Sequence, residues 1–145
     1  MTVTLLRAKL HRIRVTEACL DYVGSLTVDA DLMDAAGLYP HEKILCADVE
    51  NGARFETYVI PGPRGSRVCC LNGAAAHQGK IGDRLIVMAF GQFTPEEASA
   101  HAPRVVFLNE RNDPAPQPQT SAGTATCRSP SDSPAASTRP SRPSS

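Results

Sequence analysis

The hydrophobic and polar positions of residues 1–112 fall into short β-forming runs separated by turn residues. Runs at 8–18, 23–29, 43–50, 53–60, 67–72, 83–90 and 104–108 predict seven strands, broken by signals such as Asn51-Gly52 and Pro61-Gly62-Pro63. Many short strands with Gly/Pro punctuation predict a mainly β protein, a small barrel or sandwich. Two short helices interrupt the pattern. Asp29 or Asp31 caps 32–36 and Gly37 supplies a left-handed stop. Thr94 to Glu97 reads as a capping box with Pro95 at the first helical position, and Pro103 limits that segment. Residues 73–77 suit a single helical turn.

Composition changes the picture after Asn112, where 113–145 holds seven of the twelve prolines and almost no large apolar side chain. Such a segment cannot offset its ordering entropy, so the expected organisation is one barrel domain over 1–112 and a disordered Pro/Ser-rich tail. Lys plus Arg equals Asp plus Glu at 15 each, which weakens any nucleic-acid reading. The apolar run 85–90 is too short to span a membrane, and the first residues lack the pattern of a signal peptide. A cytoplasmic protein without a membrane partner is expected. The five cysteines are odd in number and lack metal-ligand spacing, so neither a disulfide framework nor a metal site is expected.

Four places carry candidate chemistry. Gly24 and Ser25 stand together inside a predicted strand, where neither residue is favoured; this marks either a bend or a peptide bond that itself reacts. Near the N-terminus, a period of two puts Lys9, His11 and Ile13 on one face and Leu10, Arg12 and Arg14 on the other. That strand reads as a basic edge or as part of a polar site. In 53–60 the same period groups Arg54, Glu56 and Tyr58 against Phe55, Thr57 and Val59. Arg54 beside Tyr58 makes a carboxylate clamp with a proton donor, or else an ordinary half-buried strand face on which Arg54 pairs with Glu56. Asn72 followed by Gly73, Ala74 and Ala75 is either a turn or a side-chain amide with open backbone N–H groups suited to a polarised oxygen.

Together, K-L-H-R at 9–12, Y-V-G-S at 22–25, N-G-A-R-F-E-T-Y at 51–58 and N-G-A-A-A at 72–76 resemble the pyruvoyl-dependent aspartate 1-decarboxylase family in register. The resemblance extends from about residue 6 to residue 112. It implies a double-psi β-barrel with crossing connections, assembled as a homotetramer with sites between neighbouring subunits. It also implies conversion of L-aspartate to β-alanine and CO2 for pantothenate synthesis. Removing an α-carboxylate leaves a carbanion that needs an electron sink, and no standard side chain carries a ketone. The resemblance implies that the chain makes one by cleaving Gly24-Ser25, leaving on Ser25 a pyruvoyl group that forms a Schiff base with the substrate, without metal or PLP.

The resemblance implies further that Thr57 and Asn72 assist cleavage, that Lys9 and Arg54 hold the substrate carboxylates, and that Tyr58 protonates the carbanion. His11, Thr57, Gly73, Ala74 and Ala75 complete the substrate wall. Cleavage either runs unaided or takes a maturation-activating protein as partner. The second Gly-Ser, Gly65-Ser66, lies among Pro61, Pro63 and Arg64 and reads as a turn. Leu45, Ala47 and Asp48 depart from the family pattern, where position 48 tends to be Asn. A rival reading is an unprocessed family member serving as a binding or scaffold barrel.

Overall fold

The computed structural model describes residues 1–118. Strands β1 (Val3–Arg14), β2 (Glu17–Cys19) and β3 (Leu26–Asp29) precede helix α1 (Ala30–Ala36). Then come β4 (Lys43–Asp48), β5 (Arg54–Gly62), β6 (Cys69–Asn72), a 3-10 turn (Gly73–His77) and β7 (Arg84–Phe93). Helix α2 (Pro95–Ala100), β8 (Arg104–Leu108) and β9 (Pro114–Ala115) complete the described chain. β9 follows the predicted domain boundary at Asn112, and residues 119–145 of the expected tail lie outside the described residues.

The strands form one sheet in the order β2-β6-β3-β5-β4-β7-β1-β8-β9, so consecutive strands are often not neighbours and connections cross. Three neighbouring pairs, β1–β8, β2–β6 and β3–β5, are parallel. Just past β1, Thr16 exchanges hydrogen bonds with Cys69 of β6: its N–H donates to the Cys69 carbonyl at 2.8 Å, and its hydroxyl accepts from the Cys69 N–H at 2.9 Å. Because β6 and β1 stand near opposite ends of the sheet, these bonds curl it on itself, giving the small barrel expected. Leu10, Ile13, Leu26, Val28, Ile44, Val59, Leu71, Leu85 and Val87 fill the interior. Burying each is worth about 1.5–3 kcal/mol. No helix among the described residues is long and apolar enough to cross a membrane.

The local signals hold well. Asp29 caps α1 by accepting from the Asp31 N–H at 2.8 Å, and Gly37 ends it at φ +72°. The buried Asp29 carboxylate also accepts backbone N–H groups of Gly65 and Arg67, which fixes the second Gly-Ser as a turn. Burial works to raise the Asp29 pKa, but hydrogen bonds from Arg67, Asp31 and Gly65 outweigh it and hold the carboxyl below its usual value. α2 carries the full capping box. The expected face assignment in β1 is corrected. Register slips between His11 and Ile13, where Arg12 is an extra, exposed residue at φ +67°. This bulge turns Ile13 onto the buried face with Ala8 and Leu10, leaving Lys9 and His11 on the other.

Asp48 and Asp83 form a buried acidic pair, each 2 % exposed. Together with Glu50 they offer oxygens within 4.8 Å of one another, but Glu50 is engaged by Arg84. One Asp48 oxygen accepts from the Glu50 N–H at 2.8 Å, and its Oδ2 has no partner apart from the facing carboxyl. Burial, and next the Asp83 acceptor, push the Asp48 pKa up, because two buried carboxyls that face each other resist ionising together. A carboxyl raised in the folded state stabilises it fully below the unfolded value, and that contribution is lost as pH rises through the folded value. Asp48→Asn presents an N–H to Asp83 at every pH. We expect it to stabilise the protein above neutral pH by about 1–3 kcal/mol, with the gain fading toward acid, as read from thermal midpoints across pH.

Candidate active site

β3 begins at Leu26, not at residue 23 as the pattern predicts, because Gly24 and Ser25 adopt left-handed backbone with φ +45° and +91°. Gly24 takes this conformation easily, whereas holding Ser25 there stores about 1–3 kcal/mol of strain. The Gly24 N–H donates to the Tyr22 carbonyl at 2.9 Å, and the Ser25 carbonyl accepts from the Asn72 N–H at 3.0 Å. Ser25 is 2 % exposed. Its Oγ accepts from the Asn72 side-chain amide at 3.3 Å.

This bend borders a cleft of about 280 Å³ lined by Gly24, Ser25, Thr57, Tyr58, Asn72, Ala74 and Ala75. Thr57 and Tyr58 lie on opposite faces of β5, yet both reach the cleft. The reason is register: β3 pairs with β5 only from Val59 onward, so residues 54–58 present an edge unpaired by β3. The Gly24-Ser25 bend lies beside that edge, where side chains from both faces converge. A Cβ placed on Gly24 would stand 3.6 Å from the Tyr58 Oη, which sets that hydroxyl over the bend. Gly73, at φ +58°, packs directly behind Gly24.

Four expected site residues do not line this cleft within the chain: Gly73, which packs behind Gly24 instead of forming the wall, and Lys9, His11 and Arg54. Lys9 pairs with Met88, Met88 with Leu45, and Leu45 with Glu56. Three strand spacings, roughly 14 Å along the sheet, therefore separate Lys9 from β5. His11 lies beside Lys9, edge-on to Phe107 at 5.3 Å, with its Nδ1 buried and unpartnered. Burial, then the charges of Lys9 and Arg12, hold its pKa below the usual value, so the ring is neutral near pH 7. Arg54 lies at the start of β5 outside the cleft lining, and Glu56 pairs with Lys43 at 3.1 Å instead of with Arg54. No carboxylate pairs with Lys9 or Arg54 among the described residues.

Phe55, Glu56 and Gln78 also line the cleft and were missed in the sequence. The signal for Gln78 was its place three residues beyond Ala75 on one helical turn; Phe55 shares the Thr57 face.

A left-handed Gly-Ser bend with a buried, hydrogen-bonded hydroxyl, bordering a cleft, characterises this small β-barrel. A sequence profile described as aspartate decarboxylase matches residues 1–115. An aspartate 1-decarboxylase of Salinibacter ruber is 56% identical over 113 residues, covering 78% of this chain and 77% of its own. One from Bacillus licheniformis is 56% identical over 110 residues, covering 76% and 87%. One from Lactiplantibacillus plantarum is 53% identical over 112 residues, covering 77% and 86%. The chain belongs to the aspartate decarboxylase family and is an enzyme of that family.

Proposed function

We propose that this chain cleaves itself between Gly24 and Ser25 and then decarboxylates L-aspartate to β-alanine and CO2 in the cytoplasm, serving pantothenate synthesis. The observation that carries the proposal is the Ser25 hydroxyl, held by the Asn72 amide at 3.3 Å on a backbone bent left-handed at both residues of the bond. Ser25 Oγ attacks the Gly24 carbonyl carbon and the C–N bond breaks, giving an ester and a free amine. Thr57 and Asn72 donate to the carbonyl and the developing oxyanion. Loss of the Ser25 α-proton expels the Gly24 carboxylate, and water then releases ammonia from the resulting enamine.

The cleft fits the pyruvoyl group so formed: it is walled by small Ala74 and Ala75, and Ser25 is buried at the head of β3. That group supplies the electron sink that amino-acid decarboxylation needs. Tyr58 delivers a proton to the substrate carbon. Lys9 and Arg54 bind the two carboxylates, with His11 completing the wall.

Because Lys9 lies far from Ser25 within one chain, we assign it to the cleft of a neighbouring subunit in a homotetramer. Exposed Tyr22 and Val23, which line a second hollow together with Tyr58, support such an assembly. Lys9→Ala should lose about 10- to 100-fold in kcat/KM, the value of one charge-assisted contact, without slowing cleavage. Co-assembly of Lys9→Ala chains with Ser25→Ala chains should restore part of the activity that each lacks. Mixed assemblies as inactive as the parents would place Lys9 elsewhere. Denaturing intact mass is the direct test of self-cleavage.

A further inference from the structure

The side-chain amide of Asn72 has two ends of nearly equal shape, and only its NH2 end can donate to Ser25. Its surroundings decide between them. Nδ2 donates to the Thr27 Oγ1 at 2.8 Å and to the Ser25 Oγ at 3.3 Å, while the Cys70 thiol donates to Oδ1 at 3.1 Å. Thr27 lies across from Cys70 in the β3–β6 pair, and Glu17 across from it in the β2–β6 pair. A hydroxyl such as Thr27 either gives or accepts, so it does not fix the amide. A thiol that keeps its proton does. Cys70 is 6 % exposed. Burial, then the charge of the facing Glu17 and the neighbouring Cys19, push its pKa up, so it stays an S–H donor and a poor nucleophile.

The rear of Asn72 also borders a second cavity of about 370 Å³, lined in part by Glu17, Cys19, Thr27 and Cys70. Without the thiol, water there would offer both donors and acceptors to either end of the amide. We infer that Cys70 is a positioning residue for self-cleavage: its S–H holds the Asn72 carbonyl away from Ser25 and so keeps the amide NH2 end, which Thr27 and Ser25 share, toward the Ser25 hydroxyl. This rests on the self-cleavage reading above. It assigns Cys70 no contact with aspartate and no part in turnover.

The test compares full-length wild type, Cys70→Ala, Cys70→Ser and Ser25→Ala, made by cell-free translation. After synthesis is stopped, the uncleaved fraction is followed over time by denaturing intact mass. Cys70→Ala should cleave about three- to tenfold more slowly, as for loss of one neutral hydrogen bond. Cys70→Ser, which restores a donor, should cleave within twofold of wild type. The kcat of fully cleaved Cys70→Ala should match wild type. A general packing defect would slow both variants or lower kcat, and would overturn the inference. Cys70→Ala cleaving as fast as a cleaving wild type would overturn it alone; a wild-type chain that stays whole even with an extract of its native cells added would overturn both it and the self-cleavage reading.

Discussion

Tyr58→Phe is expected to cleave normally at Gly24-Ser25 and yet lose about 100- to 10,000-fold in kcat, the usual contribution of a positioned proton donor. The substitution removes only Oη and keeps the ring, which lies 6.3 Å from the His41 ring. The hydroxyl stands beside Gly24 on the unpaired edge of β5, so it faces what replaces the Gly24-Ser25 bond once that bond is cut. Measuring cleavage and turnover on one preparation separates the two roles. A fall in cleavage with no further fall in turnover per processed chain would move Tyr58 from turnover to maturation.

Gly73→Ala is expected to slow cleavage by about 100-fold or more, the scale of an ångström-sized misplacement at a reacting centre. A Cβ at position 73 would lie 2.9 Å from the Gly24 N, 2.9 Å from the Tyr22 carbonyl oxygen and 3.0 Å from the Gly24 Cα. All three are backbone atoms of the segment to be cut, so no side-chain rotation relieves the contact. The left-handed backbone of Gly73 adds about 1–2 kcal/mol for an alanine. The 3-10 turn itself should persist, so thermal unfolding should fall far less than cleavage. Cleavage at the wild-type rate would show that the bend has room to move without losing reactivity.

What was legible in the sequence was local. The Asp29 cap, the Gly37 stop, the Thr94–Glu97 box and β8 each depend on a few neighbouring residues, and each stands where expected. Ser25, Thr57 and Asn72 were legible through their motif, although a flat-strand reading opposed Thr57 to Tyr58. Their convergence depends on where β3 stops pairing with β5, which no single run of residues reveals. The Arg12 bulge was likewise invisible, because the demand to bury Ile13 beside Leu10 comes from β7 across the sheet. Short β2 and β9 escaped the pattern because strands of three and two residues leave no periodicity to read. Cys70 stands in the sequence only as one of five cysteines without metal-ligand spacing. Its hydrogen bond to Asn72 depends on the side-chain geometry of two residues on one strand face.

The central claim is that the Gly24-Ser25 bond breaks and leaves a carbonyl on residue 25. Denaturing intact mass of the purified protein, beside a Ser25→Ala control, tests it most directly. The account predicts two fragments, 1–24 and 25–145, the larger lighter by one ammonia than a chain starting with serine, and a control that stays whole. A wild-type chain that keeps its full-length mass both alone and after incubation with an extract of its native cells, or a larger fragment that still begins with intact serine, would contradict it.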